Sequence, residues 1–382
     1  MLTELATRHG PLTLPVFCPD ATRGVVRSVG ADDLRQCGVQ GLVVNTLHLA
    51  RAPGVGLVKS QGGIHAFMGW DRPVISDSGG FQAMSVIRQN PRYGSLSDAG
   101  ISYVNADAPD RKKLKLTPEK CIQMQFDLGA DLMVCLDDCP RADADRDQVE
   151  ESVRRTILWA RRCKEEFERQ VATRRWGAAK RPLLFGVIHG GPYEGLRQRC
   201  AQELQAMGFD GYGLGGWPLD AAGELAEETL AFTASLMPDH LPKYALGVGS
   251  PQNIVRCYKM GYDIFDCVLP TRDARHQRLY CFDGEDSQGS TEITNAAGTI
   301  PYSFLYIQDD LYKRDARPIS QVCDCECCRR YSRSYLHHLF QIQDGLALRL
   351  ATVHNLRFYT MLMYRTRDLL GKTGAVGGDT AV

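Results

Sequence analysis

The sequence predicts a (β/α)8 barrel, an α/β fold of TIM type, with a zinc-binding subdomain near the C-terminus. Three observations carry that expectation. Eight short β-rich apolar runs recur along the 382 residues, with helical stretches between most of them. Seven of those runs lead into small or polar clusters, the residue types that line the mouth of a barrel where its strands end. Near the C-terminus, Cys323, Cys325 and Cys328 form a C-x-C-x2-C pattern, and His354 follows 26 residues after Cys328.

The strand candidates, in order, are 14–17, 42–45, 74–76, 132–136, 183–188, 211–214, 244–248 and 264–266. Pro15 interrupts the first, since a proline cannot donate to a sheet ladder. The polar clusters at their ends include Asn45 to His48, Asp77 to Gly80, Asp137 to Cys139, His189 to Gly191, Gly215 to Trp217, and Asp266 with Cys267; a seventh run ends in Gly247-Val248-Gly249. The helix 118–128 opens with Thr117 as cap and Pro118 in its first turn. Further helices are expected at 147–171, 193–207, 221–237, 251–260, 329–340 and 345–369. The expected division is a barrel over 1–280, a flexible insertion over 281–300, a zinc-binding subdomain with closing helices over 301–370, and a disordered tail over 371–382.

Composition narrows the class. A hydrophobic content of 44% suffices for a large core. Lys plus Arg equals Asp plus Glu at 45 each, so any polyanion site must be a local patch. The basic clusters 111–113 and Arg329-Arg330 are candidates for phosphate contact, with solvated faces as the alternative. The N-terminus lacks an apolar signal segment and no run approaches a membrane span, which favours a cytoplasmic protein without membrane contact. Fourteen cysteines without a secretory signal suit a reducing compartment.

Three thiolates and one imidazole suit a closed tetrahedral zinc site, which has no open position for chemistry. Cys323 and Cys325 stand too close in sequence to pair comfortably as a disulfide. Cys327 is left as a spare sulfur. The catalyst must then lie elsewhere, and three carboxylates stand at strand ends: Asp77, Asp137 and Asp266. Such a group serves as nucleophile, general base or hydrogen-bond acceptor according to its surroundings, and two flanking a sugar carbon can cleave a glycosidic bond. No Gly-rich Lys-Ser/Thr phosphate loop appears. His48 and His65 show no partner in the sequence, and His337 and His338 are expected on an exposed helix face.

Several motifs then combine: Ser76-Asp77-Ser78-Gly79-Gly80-Phe81-Gln82, Gly247 to Pro251, Phe265 to Arg272, the zinc set, and Arg330 to Leu336. In this order the chain resembles the tRNA-guanine transglycosylase family from about residue 11 to 370. The resemblance implies exchange of guanine at the wobble position of tRNA for a 7-deazaguanine base. It implies Asp266 as nucleophile and Asp77 as general acid/base. Asp137 would accept from the base edge, Gly216 would offer its N–H to the base O6, and Phe81 and Leu246 would stack on its faces. Ser78, Gly79, Gly80 and His189 fall in the base-binding motifs. Gly247, Val248, Gly249, Thr271, Arg272 and Arg275 fall in the segments that grip RNA. Zinc at Cys323, Cys325, Cys328 and His354 and a homodimer are implied as well.

The chain departs from the pattern in places. Bacterial relatives often carry Gln where His189 stands; a histidine titrates near neutral pH, so activity is expected to vary with pH between about 5.5 and 8. Trp217-Pro218-Leu219-Asp220 replaces a smaller run ending in Gly-Glu, with Asp220 as a substitute carboxylate. These features leave the incoming base open between queuine and its aminomethyl precursor. A non-catalytic tRNA-binding homologue, or a paralogue acting on DNA or another RNA position, remains the alternative.

Overall fold

The computed structural model describes residues 2–104, 113–178, 180–220, 222–282 and 300–373. Its centre is eight parallel strands: β1 (Val16–Pro19), β2 (Leu42–Asn45), β3 (Val74–Asp77), β4 (Leu132–Val134), β5 (Leu183–Ile188), β6 (Gly211–Leu214), β7 (Lys243–Ala245) and β8 (Ile264–Cys267). From β2 to β8 each pairs with the next in the chain, and β8 pairs with β1. A parallel bridge between Asp20 and Val43 joins the ends of β1 and β2 and closes the barrel. The interior holds Val16, Cys18, Val43, Ile75, Val134, Phe185, Val187, Tyr244 and Ile264, a core separate from the one beneath the helices. Period-two alternation produces both faces: inward residues fill the barrel and outward ones pack on helices.

The expected strands are all present, with shifted ends. The first slides to Val16–Pro19, which leaves Pro15 outside the ladder. The seventh stops at Ala245 because the chain turns there and sends the Gly247 N–H to Asp266 instead. Helices Pro118–Leu128, Arg146–Thr173, Glu194–Met207 and Pro251–Lys259 lie close to expectation. The helix expected over 221–237 covers only Glu227–Leu236. Asp220 accepts the N–H groups of Ala222 and Glu224, and a bridge pairs Leu219 with Leu225, so those residues form a turn. The expected helix 329–340 is two, Glu326–Arg330 and Arg333–Gln341, with Ser332 capping the second.

Three antiparallel additions had no counterpart in the sequence reading. Glu4–Leu5 pairs with Leu12–Thr13, and Gly94–Ser97, Gly100–Val104 and Lys113–Leu116 form a small sheet after β3. Arg278–Phe282 pairs with Tyr302–Tyr306, so the boundary expected at 280 crosses a strand. The flexible insertion expected over 281–300 and the tail over 371–382 fall mainly outside the described residues, as do Arg111 and Lys112. Among the described residues no helix is long and apolar enough to cross a membrane.

Two histidine expectations are corrected. His65 Nε2 meets Asp131 Oδ2 at 3.0 Å, and His9 Nδ1 meets Oδ1 at 2.7 Å. His337 is buried at 3% exposure because its helix packs that face inward, whereas His338 is exposed.

Candidate active site and zinc centre

Asp77, Asp137 and Asp266 line one pocket of about 440 Å³ at the C-terminal mouth, with Phe81, Cys139, Gly216, Trp217, Leu246 and Gly247 around them. Parallel register puts Asn45 beside Asp77, and the Asn45 amide donates to Asp77 Oδ2 at 2.5 Å. The Gly247 N–H donates to Asp266 Oδ1 at 3.0 Å. Burial, then the nearby Asp137 charge, raises the Asp77 carboxyl to about 6. Burial likewise raises Asp266 to about 6, opposed by the Gly247 N–H and the Tyr244 hydroxyl. Both carboxyls can therefore change protonation near neutrality, as proton-transfer chemistry requires.

Asp137 is held differently. His189 Nε2 lies 2.6 Å from Asp137 Oδ2, and the imidazole is 1% exposed behind the pocket wall. The ring fits because position 215 is glycine: a Cβ there would stand 2.5 Å from the imidazole. Ser78, Gly79 and Gly80 sit behind the pocket in the turn from β3 into the helix Gly80–Gln89, where the Ser78 hydroxyl accepts the Gly80 N–H. Phe81 and Trp217 meet edge to face at 5.4 Å and form an exposed aromatic rim, and Trp217 donates to the Pro140 carbonyl. Asp220 is spent on its turn and does not line the pocket.

Val248, Gly249 and Thr271 are buried supports, whereas Arg272 is exposed and Arg275 half-buried. Burial first, and then the Arg27 charge, lowers Arg275, and Asp20 on the pocket wall opposes that. Arg275 Nη1 is buried without a hydrogen-bond partner. Cations thus crowd one side of the mouth. Arg329 stands 3.8 Å from Asp324 beside the zinc cluster and apart from this mouth. The sequence reading missed Asp20 and Tyr244 as pocket residues, whereas Asn45 heads one of its strand-end clusters. Asp20 carries the same strand-end signal as the others; Tyr244 lies inside a strand, where only the barrel's geometry shows which way it faces.

The ligand atoms of Cys323, Cys325, Cys328 and His354 lie within 4.8 Å of one another. His354 Nδ1 stands 3.2 Å from Cys328 Sγ and 3.8 Å from Cys325 Sγ. Tetrahedral zinc bond lengths imply a sulfur-to-nitrogen separation of about 3.5 Å, which these two distances bracket. His354 Nε2–H donates to the Tyr280 carbonyl at 2.8 Å, which leaves Nδ1 as the ligand. The donor set fits a structural zinc ion that ties Cys323–Cys328 to the last helix, Gly345–Thr373. Cys327 is fully buried and is not one of the four clustered ligands. The His9–His65–Asp131 group offers a contrast. Its nitrogen-to-oxygen distances of 2.7 and 3.0 Å fall short of the roughly 3.4 Å expected across zinc and match hydrogen bonds instead.

A barrel whose mouth gathers three carboxyls in one pocket, with a zinc corner elsewhere, has the elements of a carboxylate-dependent glycosyl-transfer enzyme. A family model described as queuine tRNA-ribosyltransferase matches residues 2–373. A queuine tRNA-ribosyltransferase of Halothermothrix orenii is 38% identical over 371 residues, covering 97% of this chain and 90% of the relative. Those of Shouchella clausii and Lysinibacillus sphaericus are 37% and 36% identical, covering 97% and 95% of this chain and 88% and 87% of the relatives. The chain belongs to the queuine tRNA-ribosyltransferase family.

Proposed function

We propose that this protein exchanges guanine in the anticodon wobble position of tRNA for a 7-deazaguanine base, through a covalent intermediate on Asp266. One observation carries the reading: Asp77 and Asp266 open into one pocket, each held near 6 by burial. In the first half, an Asp266 carboxylate oxygen attacks C1′ and the bond from C1′ to guanine N9 breaks. Asp77, protonated at that stage, gives its proton to the departing base. In the second half, Asp77 takes the N–H proton of the incoming base. That base nitrogen then attacks C1′ and releases the Asp266 carboxylate. The polynucleotide stays attached while one base leaves and another enters.

Asp137 serves as acceptor for the N1–H and amino edge of a guanine-like base, and His189 holds that carboxylate from behind. Gly216 offers its N–H to the base carbonyl, and Phe81 and Leu246 supply stacking surface. Arg272 and Arg275 grip the RNA beside the pocket. Zinc supplies structure at Cys323, Cys325, Cys328 and His354 and takes no part in the exchange. The reading includes a barrel over 1–280, a zinc subdomain over 301–370, a homodimer, and a reducing, cytoplasmic setting suited to fourteen cysteines, of which the described ones form no disulfide.

The test is nucleoside mass spectrometry of G34-containing tRNA incubated with enzyme and equal queuine and aminomethyl precursor. Incorporation of one base identifies the substrate. No incorporation and no denaturant-stable RNA adduct, with protein folded and zinc-loaded, would return the protein to a binding role.

A further inference from the structure

Arg197 is a buried cation whose charge the proposed reaction does not use. It sits on the helix Glu194–Met207 at 2% exposure, and among the described residues no carboxylate pairs with it. Its guanidinium donates only to backbone carbonyls: Nε to Gly191 O at 2.7 Å, Nη1 to Ile188 O at 3.3 Å, and Nη2 to Gly215 O at 3.3 Å. Burying a cation without a counter-charge is costly, so a compensating role is expected from the groups it touches. All three carbonyls belong to the segments where β5 and β6 run into the pocket.

Gly215 O is decisive among them. It is one end of a planar peptide group whose other end is the Gly216 N–H, and the two point in opposite directions. Anchoring the oxygen on Arg197, behind the pocket, turns the N–H forward. There it faces the Cys139 sulfur, and both residues line the pocket. Gly216 has φ +102°, and with glycine on both sides of this peptide no Cβ restricts its rotation, so its orientation depends on what holds it. A cation on the carbonyl also polarises the peptide and strengthens the N–H as a donor.

We infer that Arg197 is a positioning residue: it locks the Gly215–Gly216 peptide so that the Gly216 N–H is presented to the 6-oxo group of the bound purine. The inference rests on the reading of the pocket as a site for a 6-oxopurine base.

The test measures dissociation constants of guanine and 6-thioguanine for wild type, Arg197→Lys and Arg197→Met, with zinc content and thermal unfolding as controls. 6-Thioguanine keeps the N1–H and amino edge and replaces the oxygen with a weak acceptor. Wild type should prefer guanine. The Met variant should lose at least tenfold in guanine affinity and less than twofold for 6-thioguanine, so that the preference collapses. The Lys variant, with fewer donors, should show a smaller loss confined to guanine, and it decides the matter if the Met variant does not fold. Equal losses for both bases, or unchanged guanine binding, would overturn the role. Wild type that binds neither base would instead overturn the pocket reading and the inference with it.

Discussion

Asp131 and Asp77 stand at opposite ends of the same barrel wall, and their environments have opposite outcomes. Asp131 precedes β4 at the N-terminal face with its side chain fully buried. Burial pushes its carboxyl up, but hydrogen bonds from His65 and His9, and the Val74 N–H at 2.8 Å, outweigh that and hold it below the ordinary value. Asp77 ends β3 at the mouth, with only Asn45 and the Gly79 N–H as donors and two further carboxylates nearby. Burial and the Asp137 charge win there. The same residue type is held ionised at one end and kept easier to protonate at the other, and the balance of burial, neighbouring charge and hydrogen-bond donors decides which.

The comparison can be broken at several points. The largest effect should come from Asp266→Asn, which removes the proposed nucleophile. Exchange should fall by about 10⁴-fold or more, and no RNA adduct should survive a denaturing gel. An active Asn variant would move the nucleophile elsewhere.

Zinc removal comes next. Prolonged chelation should release the link between Cys323–Cys328 and the final helix and lower the unfolding temperature strongly, since structural zinc contributes roughly 10 kcal/mol or more in metal-dependent domains. Unfolding followed by calorimetry, with and without chelator, reads this directly. Unchanged unfolding after proven metal loss would contradict a structural role.

Asp131→Asn and Asp77→Asn should then change stability in opposite directions. The native Asp131 carboxyl is depressed, so its contribution is present above the unfolded value of 3.8 and is lost as pH falls through the lower native value. Its Asn variant should lose about 1–3 kcal/mol at pH 7, as expected for a broken buried hydrogen-bond cluster. Asp77 is raised from 3.8 to about 6, so its ionisation weakens the fold progressively as pH climbs between those values. Its Asn variant should gain about 3 kcal/mol well above pH 6 and little near pH 4. Urea unfolding at both pH values measures the two effects together. Equal signs would remove the distinction between the two ends.

The smallest effect is the pH profile itself. Attack requires ionised Asp266 and the departing base takes its proton from Asp77, so single-turnover adduct formation should rise as pH climbs toward about 6 and fall again beyond it. The same experiment on His189→Gln separates the carboxyls from the imidazole: a limb retained in that variant belongs to the carboxyls.

Much of this was legible because the signals are local. Short apolar runs separated by helical stretches located the eight strands within a few residues, and Thr117 and Pro118 marked the start of their helix where it stands. The zinc ligands were readable from spacing because a closed site brings together several residues of one short loop. What escaped depended on contacts between distant segments. The His9–Asp131–His65 cluster joins residues 122 and 66 positions apart, so His65 showed no partner in the sequence. His337 points inward only because its helix packs on that face. Asp220 was a plausible substitute carboxylate until its turn claimed it.

By itself, the sequence determined the barrel, the zinc ligands and the set of strand-end carboxylates, since periodicity, spacing and short motifs act within a few residues. Tertiary structure alone decided that Asp77 and Asp266 share a pocket and titrate near 6, that His189 stands behind Asp137, and that Arg197 reaches the Gly215 carbonyl. Those properties come from desolvation and from the direction of individual donors, and both arise only when segments far apart in the chain are packed together.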